Sequence, residues 1–93
     1  GVTAWVCAAD HIAFDLINEL EINNFDIPND VSVVGFDGMQ APKGFQKELF
    51  TIKVPHRTIG YYATKRLSEI IKNPYDKTQL ISIKGEIKVG NTM

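Results

Sequence analysis

The sequence predicts an α/β fold built on a parallel sheet, and three observations predict it. Val2 to Ala8 is a short apolar run rich in Val, Thr and Trp, the pattern of a strand buried on both faces. Val31 to Phe36 (VSVVGF) is a second run of the same β-branched kind. Between them Ile12, Ala13, Leu16, Ile17 and Leu20 recur at helical spacing. Strand, helix and strand joined by short connectors make one βαβ unit, so the two strands run parallel with a right-handed crossover.

Asp10 stands where the first helix begins and is a natural N-cap, because a carboxylate accepts hydrogen bonds from free first-turn amides. That helix ends near Asn23-Asn24, and residues 25–30 form a loop in which Pro28 imposes an extended residue before it. Asp37-Gly38 closes the second strand. Met39 to Lys47 holds Pro42 and Gly44 and reads as an exposed loop carrying Phe45. Leu49 to Val54 is a third strand, stopped by Pro55. Ile59, Ala63, Leu67, Ile70 and Ile71 then form a second helical stripe, opening at His56 or Thr58 and ending at Asn73-Pro74. Gln79 to Ile83 alternates like a half-exposed strand; Gly85 breaks it, and Glu86 to Val89 resumes the rhythm.

A chain of 93 residues buries roughly two-thirds of its unfolded surface, enough for one thin core. Two long helices are too few to cover both faces of a parallel sheet. The remaining cover is expected from upstream sequence or a partner chain, and a start at Gly1 directly before a strand fits a piece of something longer. Ten Lys and Arg against eleven Asp and Glu leave a charge of −1, which argues against a nucleic-acid surface. No apolar run approaches 18 residues and no basic-then-apolar leader is visible, so neither a membrane span nor a signal peptide is expected. A single cysteine excludes an internal disulfide and fits a reducing cytoplasm.

Three stretches together carry a resemblance: CAADHIAFDLINEL, DIPNDVSVVGFDG and LFTIKVPHRTIGYYA. Ala8, Asp10 and Ala13, the string Ile27 to Asp37 (IPNDVSVVGFD), Thr51, and then Pro55, Ile59, Gly60 and Ala63 resemble the C-terminal part of the LacI/GalR family of bacterial transcriptional regulators. The resemblance implies a fragment of a type I periplasmic-binding-protein-like domain, with a parallel Rossmann-like sheet in each of two lobes and a small effector held between them. It places residues 1–53 in the C-terminal lobe. It makes residues 54–84 a crossover and a helix packed on the other lobe, and residues 85–93 a return strand and tail. It further implies a homodimer answering to a sugar or related metabolite, with no cofactor. Operator DNA would be met only through an N-terminal helix-turn-helix that is absent here.

Asp37 is the leading site candidate. Ligands of open α/β sheets bind beyond the carboxyl ends of the strands, where Asp37 stands, and a carboxylate there accepts from two neighbouring sugar hydroxyls. The resemblance also places a cleft aspartate at this position. The bland alternative is a plain Asp-Gly turn with an Asx bond. Ala9 stands where much of the family carries a ligand-contacting Asn, so a side-chain donor is lost. Asp10 is either helix cap or ligand contact. His56, after the crossover proline, either faces the effector or is an exposed histidine at a helix start. Phe14 lies off the Ile12/Leu16/Leu20 stripe and Phe45 lies in a loop, so two exposed aromatics point to an association surface, the family's dimer interface by resemblance. The alternative is burial by missing parts of the same chain.

No enzyme is expected. Cys7, Asp10 and His11 contain the residue types of a nucleophile set, but Cys7 sits in a buried-looking strand where packing is its role. Gly35 to Gly38 lacks the spacing of a phosphate loop, and no histidine pair with a third ligand indicates a metal. Two rivals remain: a transport-type sugar-binding protein of the same fold, and a small doubly wound α/β enzyme using Asp37.

Overall fold

The computed structural model describes all residues, 1–93. The elements are β1 (Ala4–Val6), α1 (Asp10–Ile22), β2 (Ser32–Val34), β3 (Thr51–Lys53), α2 (His56–Lys72) and β4 (Glu86–Lys88). They fall into two compact units, residues 1–54 with 86–93 and residues 55–85.

In the first unit β1 and β2 pair in parallel, with Trp5 opposite Val33, as a βαβ unit requires. Parallel bridges Val34–Phe50 and Asp37–Lys53 continue the ladder to β3. β4 returns antiparallel beside β3, with Ile52 opposite Ile87. The core is Cys7, Ala13, Phe14, Ile17, Ile27, Val31, Val33 and Leu49, with Leu16, Leu20 and Phe45 packed against it. Ile27 reaches this core from a connector tied by its own polar groups. The Asp26 amide donates to Asp30 Oδ2 at 2.7 Å, and Asn29 Nδ2 donates to Asp26 Oδ2 at 2.6 Å.

The inward face of α1 is Asp10, Ala13, Phe14 and Ile17, at spacings of three and four. Ala13 and Ile17 of the expected stripe lie on that face and Leu16 and Leu20 pack against the core, but Ile12 is exposed and Phe14, expected off the stripe, is buried. A second correction concerns β1. It was expected to be buried on both faces, yet Trp5 and Val6 are exposed, because α1 packs on β2 rather than over β1.

In the second unit α2 spans the expected residues, but none of its side chains is fully buried. Residues 79–83 are not a strand. A strand needs a ladder partner and this segment has none; it lies along α2 instead, leaving an open groove of about 450 Å³ between Ile59, Leu67 and Ile70 on one side and Ile81 and Ile83 on the other. Arg66 ties the turn after the helix, donating to Asp76 Oδ2 at 3.0 Å and to the Lys77 carbonyl. No helix is long and apolar enough to cross a membrane.

Candidate functional site

The carboxyl ends of β1, β2 and β3 lie side by side, and Asp37 stands at the end of the middle one. Its main chain is held completely. The Asp37 amide donates to the Ile52 carbonyl at 2.9 Å, and its carbonyl accepts from the Val54 amide at 2.9 Å. The backbone there is unusual, with φ of 131° at Asp37 and 78° at Gly38. A side-chain-bearing residue in that region costs of order 1–3 kcal/mol, and such strain concentrates at functional sites. Gly38 has no freedom to be anything larger: an added Cβ would stand 2.8 Å from Lys53 Cα. The Asp37 side chain is half-buried and takes part in none of the chain's three ion pairs. The turn is therefore real, but the Asx bond that would have absorbed the carboxylate is not among the side-chain hydrogen bonds.

Asp10 is not the N-cap. Ala9, in extended backbone, caps α1 without any side-chain hydrogen bond, and Asp10 is the first helical residue. The reason lies in burial. Asp10 is fully buried, and a buried carboxylate must find donors. Oδ1 accepts from Thr51 Oγ1 at 2.6 Å and Oδ2 from the Met39 amide at 2.7 Å. With both oxygens engaged and no exposed surface, Asp10 stands behind the strand tips instead of on them. Ala9 is half-buried beside it and offers no polar side-chain atom. His56 opens α2 in the second unit and is exposed.

The premise of two exposed aromatics fails. Phe14 is 4% exposed, Phe45 is half-buried, and the rings meet edge to face with centroids 4.8 Å apart. Loop 39–47 folds back because the Phe45 amide donates to the Pro42 carbonyl and Lys47 Nζ reaches the Ile27 carbonyl at 2.9 Å. The chain itself buries Phe14 and half-buries Phe45. Cys7 is also buried, which pushes its thiol up and suits packing over reactivity. No group of three or more His, Cys, Asp or Glu side chains is placed to hold a metal.

Sequence reasoning missed Gly35, Thr51 and Thr92 as parts of this framework. Gly35 carried a signal: a glycine inside a β-branched strand marks a close approach. An added Cβ there would collide with the Asp10 carboxylate and stand 2.8 Å from Leu49 Cδ2. Thr51 entered only through the resemblance and Thr92 not at all, and no local pattern tied either to its partner, which lies 41 and 59 residues away respectively.

The sequence profile of the periplasmic binding protein-like domain matches residues 2–93. The transcriptional repressor PurR of Vibrio campbellii is 34% identical over 91 residues, 98% of this chain and 27% of that protein. The chain thus spans about a quarter of the length of the curated relatives it matches. Among solved structures, a complex of the transcriptional regulator CelR with cellobiose superposes with a TM-score of 0.89 at 18% identity, covering 99% of this chain and 28% of that one. The lac repressor dimer bound to operator and an anti-inducer gives 0.84 at 23% identity, covering 97% and 31%. At those identities the superpositions speak for the fold. The homologues are transcriptional repressors and regulators, not enzymes.

Proposed function

Because the chain belongs to the periplasmic binding protein-like domain family and is homologous to repressors of the LacI family, we propose that it is the effector-sensing part of a cytoplasmic transcriptional regulator, with a sugar or related polyhydroxylated metabolite bound at the tips of β1, β2 and β3. The observation that carries this reading is Asp37: an aspartate in backbone that disfavours side chains, at the end of the central strand, with its carboxylate left out of every ion pair. Two vicinal hydroxyls donating to that carboxylate contribute ~1.5–3 kcal/mol each. Ala9 leaves the neighbouring tip without a donor, so orientation at that wall rests on shape. In this reading residues 1–53 belong to the C-terminal lobe, residues 54–84 supply a crossover and a helix for the other lobe, and residues 85–93 a return strand and tail. The Asp37 carbonyl holds the Val54 amide, where β3 leaves for α2. A ligand on Asp37 therefore acts on the residue from which the crossover departs. An effector favouring one lobe arrangement shifts the population by a coupling of ~1–3 kcal/mol, which the regulator passes to operator DNA.

The reading includes a homodimer, as the lac repressor is a dimer in its operator complex. The exposed side of α1 and loop 39–47 form its surface, with Phe45 at the edge and Phe14 supporting from beneath.

The test is Asp37→Ala in the full-length protein, with binding measured by thermal shift and calorimetry against a panel of mono- and disaccharides that includes cellobiose. A bound sugar raises apparent stability by mass action. Wild-type protein is expected to respond to one member, and Asp37→Ala to lose that response while keeping its operator affinity. An equal response from the variant removes Asp37 from the site.

A further inference from the structure

Asp10 grips the main chain on both sides of Asp37. Its amide donates to the Phe36 carbonyl at 3.0 Å, one residue before. Its Oδ2 accepts from the Met39 amide at 2.7 Å, two residues after. Between these two grips lie Asp37 and Gly38, both at positive φ. The second carboxylate oxygen is anchored to Thr51 of β3 at 2.6 Å. Gly35, immediately before the gripped stretch, has no room for a Cβ because the Asp10 carboxylate occupies that space. A backbone turn of this kind persists only when its surroundings over-determine it. The surroundings here are the Ile52 and Val54 ladder on one side and Asp10 on the other.

We propose that Asp10 is a positioning residue for Asp37: its amide and its carboxylate clamp residues 36–39 against β3, so that the Asp37 carboxylate is presented at the strand tip in one orientation. The clamp rests on the reading of Asp37 as the ligand-binding carboxylate, but it makes a prediction that needs no ligand. The Met39 amide, in an exposed residue of an irregular loop, is protected from exchange only through Asp10. Asn at position 10 preserves the clamp, since its Oδ1 accepts from Met39 and its Nδ2 donates to the Thr51 hydroxyl, which then serves as acceptor. Ala at position 10 abolishes both side-chain contacts.

The experiment is amide hydrogen exchange on the full-length protein, followed by cellobiose titration of the same samples. Asp10→Ala is expected to speed exchange at Met39 by on the order of 10-fold or more, with Val33 in the core strand β2 little changed, and Asp10→Asn to restore protection. If Asp10→Ala does not fold, Asp10→Ser, which keeps a polar atom but reaches only one partner, takes its place. Met39 exchange unchanged in these variants overturns the clamp. So does a uniform rise across β2 that Asp10→Asn fails to rescue, since that is the mark of general destabilisation. In the titration, Asp37→Ala and Asp10→Ala are each expected to weaken cellobiose, and Asp10→Ala to add nothing in the Asp37→Ala background. A full additional loss in the double variant overturns positioning. Absence of any cellobiose response, or a response that Asp37→Ala leaves intact, counts against the proposed effector site, while the exchange measurement still decides the clamp.

Discussion

Thr92 Oγ1 donates to the Val33 carbonyl at 2.7 Å, and the Thr92 carbonyl accepts from the Val33 amide at 2.7 Å, so the chain's penultimate residue closes the ladder of its central strand. The same hydroxyl accepts from the Phe50 amide at 2.9 Å, which makes Thr92 a splint between β2 and the approach to β3. Gly90 permits this: any Cβ there would overlap the backbone of residues 48–50. Asn91 adds a reciprocal pair, its amide to the Glu48 carbonyl at 2.7 Å and its Oδ1 accepting from the Glu48 amide at 2.8 Å.

Thr92→Val keeps the shape but leaves the part-buried Phe50 amide without its acceptor and the buried Val33 carbonyl without this donor, at an expected cost of ~1–3 kcal/mol. Thr92→Ser keeps the hydroxyl and is expected to cost less than ~1 kcal/mol. Urea denaturation of the three proteins checks this. Equal midpoints for wild type and Thr92→Val would show that the splint contributes nothing.

Gly38→Ala is expected to destabilise by ~1–3 kcal/mol, because φ of 78° disfavours Ala and its Cβ would press on the Lys53 main chain. The same variant disturbs the Asp37 turn, so effector affinity is expected to fall with stability. A stabilised Gly38→Ala protein in thermal denaturation contradicts the turn geometry.

Phe14 and Phe45 form a pair inside one chain. Phe14→Ala is expected to cost ~3–5 kcal/mol as a core deletion. A double-mutant cycle with Phe45→Ala is expected to return a coupling of ~0.5–1.5 kcal/mol from the edge-to-face contact. Loss of dimerisation in Phe14→Ala with stability intact would reassign the ring to an intermolecular surface, and sedimentation velocity reports it directly.

The hydrogen bond from Arg66 holds Asp76 below its ordinary value of 3.8, helped by the Lys77 amide. A carboxyl lowered on folding contributes stability that is complete above its unfolded value and disappears as pH falls through its folded one. The turn at residues 73–77 is therefore expected to stay intact at neutral pH and through the ordinary carboxylate range, and to loosen only below it. An NMR titration of the Asp76 carboxyl carbon reads the midpoint, and Asp76→Asn should erase the low-pH transition of Arg66. A midpoint at or above 3.8 rules out the ion pair in solution.

Local pattern was enough for most elements. The β-branched runs, the helical spacing of 59–71 and the stop at Asn73-Pro74 placed β1, β2, β3 and α2 within a residue or two, because strand and helix periods are written in consecutive side chains. It was not enough for residues 79–83, whose alternation matched a strand that lacks a partner to bond with. The face of α1 departed from expectation at Ile12 and Phe14 for a related reason. Phe14 is bulky enough to draw the helix toward Phe45, and Phe45 is 31 residues farther along the chain.

The candidate site divides in the same way. Its chemistry, a carboxylate at the end of a β-branched strand before a glycine, was present in VVGFDG itself, and so was the family, in the string from Ile27 to Asp37. The division of labour between Asp10 and Asp37 was not. Two aspartates near two strand ends look alike in one dimension. Only the folded chain brings Thr51 and the Met39 amide to one of them and leaves the other at the strand tip, because a buried carboxylate takes whatever donors the tertiary packing delivers.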